Sequence, residues 1–316
     1  MRAARVERFG PPEVIRVANV ARPRPCKNEV LVRIHAAGVG PWDALIRSGK
    51  SALPQPLPLT LGSDFSGVIE EVGEGVTRFR TGLSVFGATN SQFTGAQAEY
   101  AVASASMIAP KPKSWNELEA ASAPIVAVTA WQMLFDYARL KAGQTALIQG
   151  AAGNVGGYVL QFAKRRGIRA IAVVKASDVG YVQSLGADHV IDYQLESFEK
   201  VSPKVDAVLD LVGGDIQERS LEVLKREGVL VSAVSPLSEQ SKFRAQELGV
   251  RGLFFLVEVT TERLLRLTEM VDSEGVRAEV GEVLGLDQVR LAHEMLASPS
   301  RRKRGKIVLK IERPIS

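Results

Sequence analysis

The chain has 316 residues, and 40 Lys+Arg against 35 Asp+Glu leave a formal net charge of +5. Apolar residues make up 46% and charged ones 24%, which excludes a disordered or collagen-like chain. The single cysteine, Cys26, excludes an internal disulfide, and three separated histidines (His35, His189, His293) leave a zinc site short of ligands.

At roughly 150 residues per domain, two domains are expected. The longest apolar stretch, 120–135, is interrupted by Ser122, Pro124, Thr129 and Gln132, so no membrane span is expected. Arg2, Arg5 and Arg8 suggest a transit peptide, but Glu7 and Glu13 oppose one and no apolar h-region follows. A cytoplasmic protein is the expectation.

The first 120 residues read as short strands broken by Gly and Pro. Residues 30–35 alternate, with Val30, Val32 and Ile34 on one face and Arg33 and His35 on the other. Residues 68–76 read as a strand entering a glycine turn, and Pro41, Pro54, Pro56 and Pro58 mark a loop between strands. Helical spacing appears over 127–137. Beyond it apolar strands (145–149, 169–174, 205–209, 229–234) alternate with helical stretches, one of them at 221–226. That alternation predicts an α/β fold with a doubly wound parallel sheet. A strand (277–283), a helix (287–297) and a last strand (306–312) close the chain.

Residues 148–157, Ile-Gln-Gly-Ala-Ala-Gly-Asn-Val-Gly-Gly, join the first of these apolar strands to an amphipathic helix. A dinucleotide site needs this context, because backbone must approach a pyrophosphate and a helix N-terminus offers unpaired N–H groups. Gly153 permits the approach and Gly156 lets the helix pack against the sheet; Ala151 stands where the first fingerprint glycine is usual. The next strand ends in Lys175, Ala176 and Ser177 rather than in an acid. A cation beside a hydroxyl suits a ribose 2′-phosphate, which favours NADPH over NADH. The plainer reading is a lysine that faces solvent.

Several segments resemble the zinc-independent quinone oxidoreductases of the medium-chain dehydrogenase/reductase superfamily: 59–68, 128–132, the glycine loop, 184–193 and 305–309. The resemblance runs from end to end. It implies a GroES-like β-rich catalytic domain over 1–122, completed by 276–316, and a Rossmann NADP-binding domain over 123–275. The positions matching the zinc ligands of related enzymes hold Gly40 and Ser63. Without a Lewis acid the implied acceptors are activated ones, a quinone or else an enone or alkenal. The resemblance implies cofactor contacts at Thr129, Gly153, Asn154, Val155, Gly156, Lys175, Ser177, Tyr193, Val212, Ser235, Phe254, Phe255, Val257 and Lys306. The segment at 254–257 is also implied to pair two subunits in a homodimer.

Two departures fall at the acceptor end. Gly40 replaces an asparagine frequent in the family, and Trp42 replaces a smaller apolar residue. Trp42 is either an aromatic wall for a flat acceptor or packing beneath its loop. Asp43 matches the family's acid, as a pocket residue or a loop cap. Spacing singles out no catalytic residue: no tyrosine stands out as proton donor, and His293 is placed on the surface of its helix. Two basic runs, 164–166 and 301–304, raise a nucleic-acid reading. No RNA-binding motif accompanies them, so solvated charge is the expectation. The expected function is metal-free, NADPH-dependent quinone reduction, with enone reduction or NADPH binding without turnover as the alternatives.

Overall fold

The computed structural model describes residues 1–298 and 303–311. Arg301, Arg302 and Glu312, parts of the basic run and of the expected last strand, lie outside the described residues. In chain order the elements begin with β1 (Arg2–Val6), β2 (Ile15–Asn19), β3 (Glu29–Val39), α1 (Pro41–Ser48), β4 (Leu59–Thr60) and β5 (Asp64–Val72). They continue with β6 (Ser84–Ala88), β7 (Tyr100–Ser104), β8 (Ile108–Pro110), α2 (Glu117–Ser122) and α3 (Pro124–Trp131), which runs into a π-helical turn at Gln132–Tyr137. Then follow β9 (Thr145–Gln149), α4 (Asn154–Arg165), β10 (Arg169–Val174), α5 (Val179–Leu185), β11 (His189–Asp192) and α6 (Phe198–Val201). The rest are β12 (Val205–Asp210), α7 (Asp215–Leu221), β13 (Leu224–Ser232), α8 (Glu239–Leu248), β14 (Arg251–Phe254), α9 (Thr261–Glu274), β15 (Val280–Gly285), α10 (Val289–Ala297) and β16 (Lys306–Lys310).

The chain divides into two compact units, Met1–Ile125 with Val259 onward, and Val126–Glu258. The sequence reading drew the return at 276; here it falls earlier, because α9 is tied to β8. Thr261 Oγ1 donates to the carbonyls of Ala105 and Ile108, and Thr268 Oγ1 to that of Pro110.

The second unit holds a six-stranded sheet in the order β11-β10-β9-β12-β13-β14, all parallel. Numbered within the unit this is 3-2-1-4-5-6, the doubly wound order whose direction reverses beside β9. Every residue of β9 is buried, as a strand covered by helices on both faces must be.

In the first unit β16 inserts between β15 and β3 of a seven-stranded sheet, so the C-terminal strand pairs with Ala36–Val39. The alternation seen at 30–35 lies in β3, where Val30, Val32 and Ile34 are core and Arg33 and His35 are half-exposed. Three readings need correction. Pro41 opens α1 instead of breaking structure, since a proline at the first helical position loses no hydrogen bond. Residues 221–226 are not one helix: Leu221 ends α7, and Leu224–Arg226 already belong to β13. The strand expected over 277–283 begins at Val280.

Candidate functional site

The second unit brings most of the expected cofactor residues to the carboxyl ends of its parallel strands. After β9 the chain turns through Gly150, at φ +73°, and Gly153 caps α4 from an extended conformation without a side chain. The first-turn N–H groups of Asn154, Val155 and Gly156 therefore have no intrahelical acceptor and no side-chain cap, while Gly153 itself is exposed. A Cβ on Gly156 would lie 2.4–2.6 Å from the backbone of Ala151, so only glycine lets the helix start this close to the strand end. Unpaired N–H groups at a glycine-lined helix start are the chemistry that a pyrophosphate requires.

β10 and β11 pair through Val174 and Asp192, and Lys175 and Tyr193 follow on adjoining strand ends. The Tyr193 N–H donates to Val174 O at 3.0 Å, and Lys175, Ser177 and Tyr193 are all exposed. Val212 and Ser235 follow β12 and β13. Phe254 ends β14, whereas Phe255 and Val257 lie beyond it, Phe255 packed on Tyr137 with ring centroids 4.5 Å apart. Thr129 is buried in α3.

Sequence reasoning missed the side chain that shapes two of these loops. Buried Asp210 accepts from the N–H groups of Val212 (2.9 Å) and Gly213 (2.8 Å), from Gln217 Nε2 (2.9 Å) and from Ser232 Oγ (2.8 Å). Gln217 Nε2 also reaches Ser235 O at 3.1 Å. An acid at a strand end before Val-Gly-Gly was the available signal: its carboxylate ties down the turn that the glycines permit.

Gly40, Trp42, Asp43 and Lys306 converge in the first unit, together with Ser63 and Asp64. Asp43 is the third residue of α1, and its Oδ2 accepts the Gly40 N–H at 2.7 Å, which caps the helix. Among the described residues its buried Oδ1 has no hydrogen-bond partner. Burial pushes the carboxyl up to about 7, although the Gly40 N–H and the Lys306 charge favour the ionised form. Lys306 Nζ donates to Asp64 Oδ2 at 2.9 Å, and Asp64 Oδ1 accepts the Ile125 N–H at 2.9 Å. Burial also raises the Asp64 carboxyl, against the adjacent ammonium.

The same ammonium sits 3.9 Å from the centroid of the Trp42 ring, and Trp42 Nε1 donates to Ser63 Oγ at 3.0 Å. Two glycines of β3 and its end make room for these side chains. A Cβ on Gly38 would lie 3.1 Å from Lys306 Cε, and one on Gly40 would lie 2.4–2.6 Å from three atoms of the Trp42 ring. The absent side chain at 40 and the large one at 42 are thus a single exchange of volume, which reading the two positions separately did not show.

His293 is not on the surface. It is 1% exposed, and its Nδ1 accepts from Arg47 Nη1 at 3.1 Å, since a guanidinium only donates. Burial, with the Arg47 charge beside it, pushes the ring down to about 3. The helical spacing of Leu286, Val289, Ala292 and His293 was the signal for burial. Among the described residues no three His, Cys, Asp or Glu side chains gather as a metal site, and no helix is long and apolar enough to cross a membrane.

Known proteins resemble the chain over nearly its whole length. The alcohol dehydrogenase GroES-like domain family matches residues 26–113, and the zinc-binding dehydrogenase family matches 185–309. A quinone oxidoreductase of Mus musculus is 31% identical over 327 residues, covering 98% of this chain and 97% of its own. The structure of a quinone oxidoreductase from Coxiella burnetii superposes with a TM-score of 0.91 at 33% identity, covering 99% of both chains. That of Escherichia coli quinone oxidoreductase complexed with NADPH gives 0.86 at 26%, covering 98% of this chain and 100% of the other.

Proposed function

The chain belongs to the quinone oxidoreductase group of the medium-chain dehydrogenase/reductase superfamily, and from that membership we propose that it reduces a quinone with NADPH and without a metal. The coarser statement, an NAD(P)H-dependent oxidoreductase with a GroES-like domain and a doubly wound sheet, follows from the family itself. The observation that carries the proposal is the glycine cradle at the head of α4, open to a pyrophosphate and followed one strand later by a cation instead of an acid.

In this reading Gly153, Asn154, Val155 and Gly156 hold the pyrophosphate through backbone N–H groups and the helix dipole. Lys175 and Ser177 take the 2′-phosphate and Tyr193 lies along the adenosine. Thr129, Val212, Ser235, Phe254, Phe255 and Val257 orient the nicotinamide end, with Asp210 fixing two of their loops. The bound dinucleotide supplies the hydride. Gly40, Trp42 and Asp43 belong to the acceptor side, and Lys306 is their buried counter-charge. The side chains gathered there are two carboxyls, an ammonium, an indole and a hydroxyl, a set that supports positioning without a Lewis acid. Two copies are proposed to pair along β14, the last strand of its sheet.

The test is oxidation of NADPH and of NADH across quinones, cyclic enones, alkenals and simple alcohols. Turnover of quinones with NADPH is expected; exclusive turnover of enones would move the assignment to a double-bond reductase. Lys175→Asp is expected to lower kcat/KM for NADPH by about tenfold or more and to spare NADH, because a carboxylate repels the 2′-phosphate. An unchanged preference would remove Lys175 from the site.

A further inference from the structure

The strong N–H donors in the first unit's cluster are already engaged, and the Ser63 hydroxyl and Asp43 carboxyl are fully buried. The Gly40 N–H is held by Asp43, the Trp42 Nε1–H by Ser63, and the Lys306 ammonium by Asp64 and by the face of the Trp42 ring. Position 40 has no side chain to offer a hydrogen bond, and a Cβ there would overlap the indole. What the cluster still presents is the indole itself, which is only partly buried while Asp43, Ser63, Asp64 and Lys306 are fully buried. Its ring is held at three points: by the Ser63 hydroxyl, by the cation over its face and by the glycine beneath it. Such a surface recognises by area and by π contact, and an electron-poor ring is the natural complement of an electron-rich indole.

We propose that Trp42 is the specificity-determining side chain of the acceptor site, selecting planar fused-ring acceptors by aromatic contact in place of a hydrogen bond from residue 40. The proposal rests on the reductase reading given above. A short open-chain enal has too little flat surface to gain from the indole, and the polar side chains of the cluster are buried too deeply to orient its carbonyl.

The experiment compares kcat/KM for a naphthoquinone, a benzoquinone and a short alkenal in the wild type, Trp42→Ala and Trp42→Phe, at saturating NADPH. Trp42→Ala is expected to lose about tenfold on the naphthoquinone, chiefly in KM, and to change by less than about threefold on the alkenal. Trp42→Phe, which keeps a ring but no N–H, is expected to stay within about threefold of wild type on all three. If Trp42→Ala does not fold, Trp42→Leu, bulky but not aromatic, takes its place.

A second readout does not depend on turnover. Gly40→Ala is expected to lower the Tm of the wild type but not that of Trp42→Ala, a coupling that exists only if the indole occupies the space of a residue-40 side chain. No turnover of any acceptor by the wild type would overturn the reductase reading, and this proposal with it. Turnover by the wild type with the same acceptor ranking in Trp42→Ala, or no coupling with Gly40→Ala, would overturn the role of Trp42 alone.

Discussion

Asp43 and His293 are buried titratable groups whose shifts run in opposite senses, and stability should report both. Asp43 has an ordinary value of 3.8 and is raised to about 7, so the native state holds the proton more tightly than the unfolded chain. Its contribution is complete below 3.8 and is lost as pH rises toward 7. His293 is lowered from 6.5 to about 3, so the unfolded chain binds the proton first. Its contribution is complete above 6.5 and is lost as pH falls toward 3. Each shift is worth on the order of a few kcal/mol at full extent. Asp43→Asn, which can still accept the Gly40 N–H, should therefore make stability between pH 4.5 and 7 fall more steeply on acidification than in the wild type. His293→Asn, which can still accept from Arg47, should make the acid side flatter. Urea unfolding at both pH values measures the two differences, and changes of the same sign in both variants would contradict the buried positions assigned here.

Among the elements, the start of α4 shows how a glycine acts through packing. Gly156 and Gly157 are adjacent in sequence but meet different neighbours. A Cβ at 156 strikes the Ala151 backbone at 2.4–2.6 Å, while one at 157 meets Tyr181 Oη at 3.3 Å and Leu185 Cδ1 at 3.4 Å, both side-chain ends that can give. Gly156→Ala must lift the helix off the strand end, so a loss of about 1–3 kcal/mol is expected together with weaker NADPH binding. Gly157→Ala should change both far less; NADPH fluorescence titration and thermal melts separate the pair. Elements of this unit were legible because buried parallel strands are continuous apolar runs and the loop between β9 and α4 is rich in glycine. α1 was not legible, since its opening Pro41 reads as a breaker until its place at the first helical turn is known. The start of β13 was hidden by Lys225, Arg226 and Glu227, which are charged and exposed within a strand.

For the whole molecule, the sequence showed which residues carry charge or aromatic surface but not which of them meet. Trp42 and Ser63 are 21 residues apart, and Asp64 and Lys306 are 242 apart. No local period relates such pairs; the first meets when β5 pairs with β3, and the second when β16 slots in beside β3. Lys306 is thus the point where the far end of the chain is checked against its beginning, by a buried ion pair with both partners at 2% exposure or less. A buried pair adds little net stability over an apolar replacement, but breaking it leaves one charge without compensation. Lys306→Met should therefore cost about 3–5 kcal/mol, with Asp64 left buried and unpaired. Adding Asp64→Asn, which still accepts the Ile125 N–H, should return most of that loss, because no charge is then left behind. Urea unfolding of the two single variants and the double variant measures the cycle. A double variant no more stable than Lys306→Met alone would mean that the lysine contributes through packing beside Gly38 and Trp42 and not through its charge.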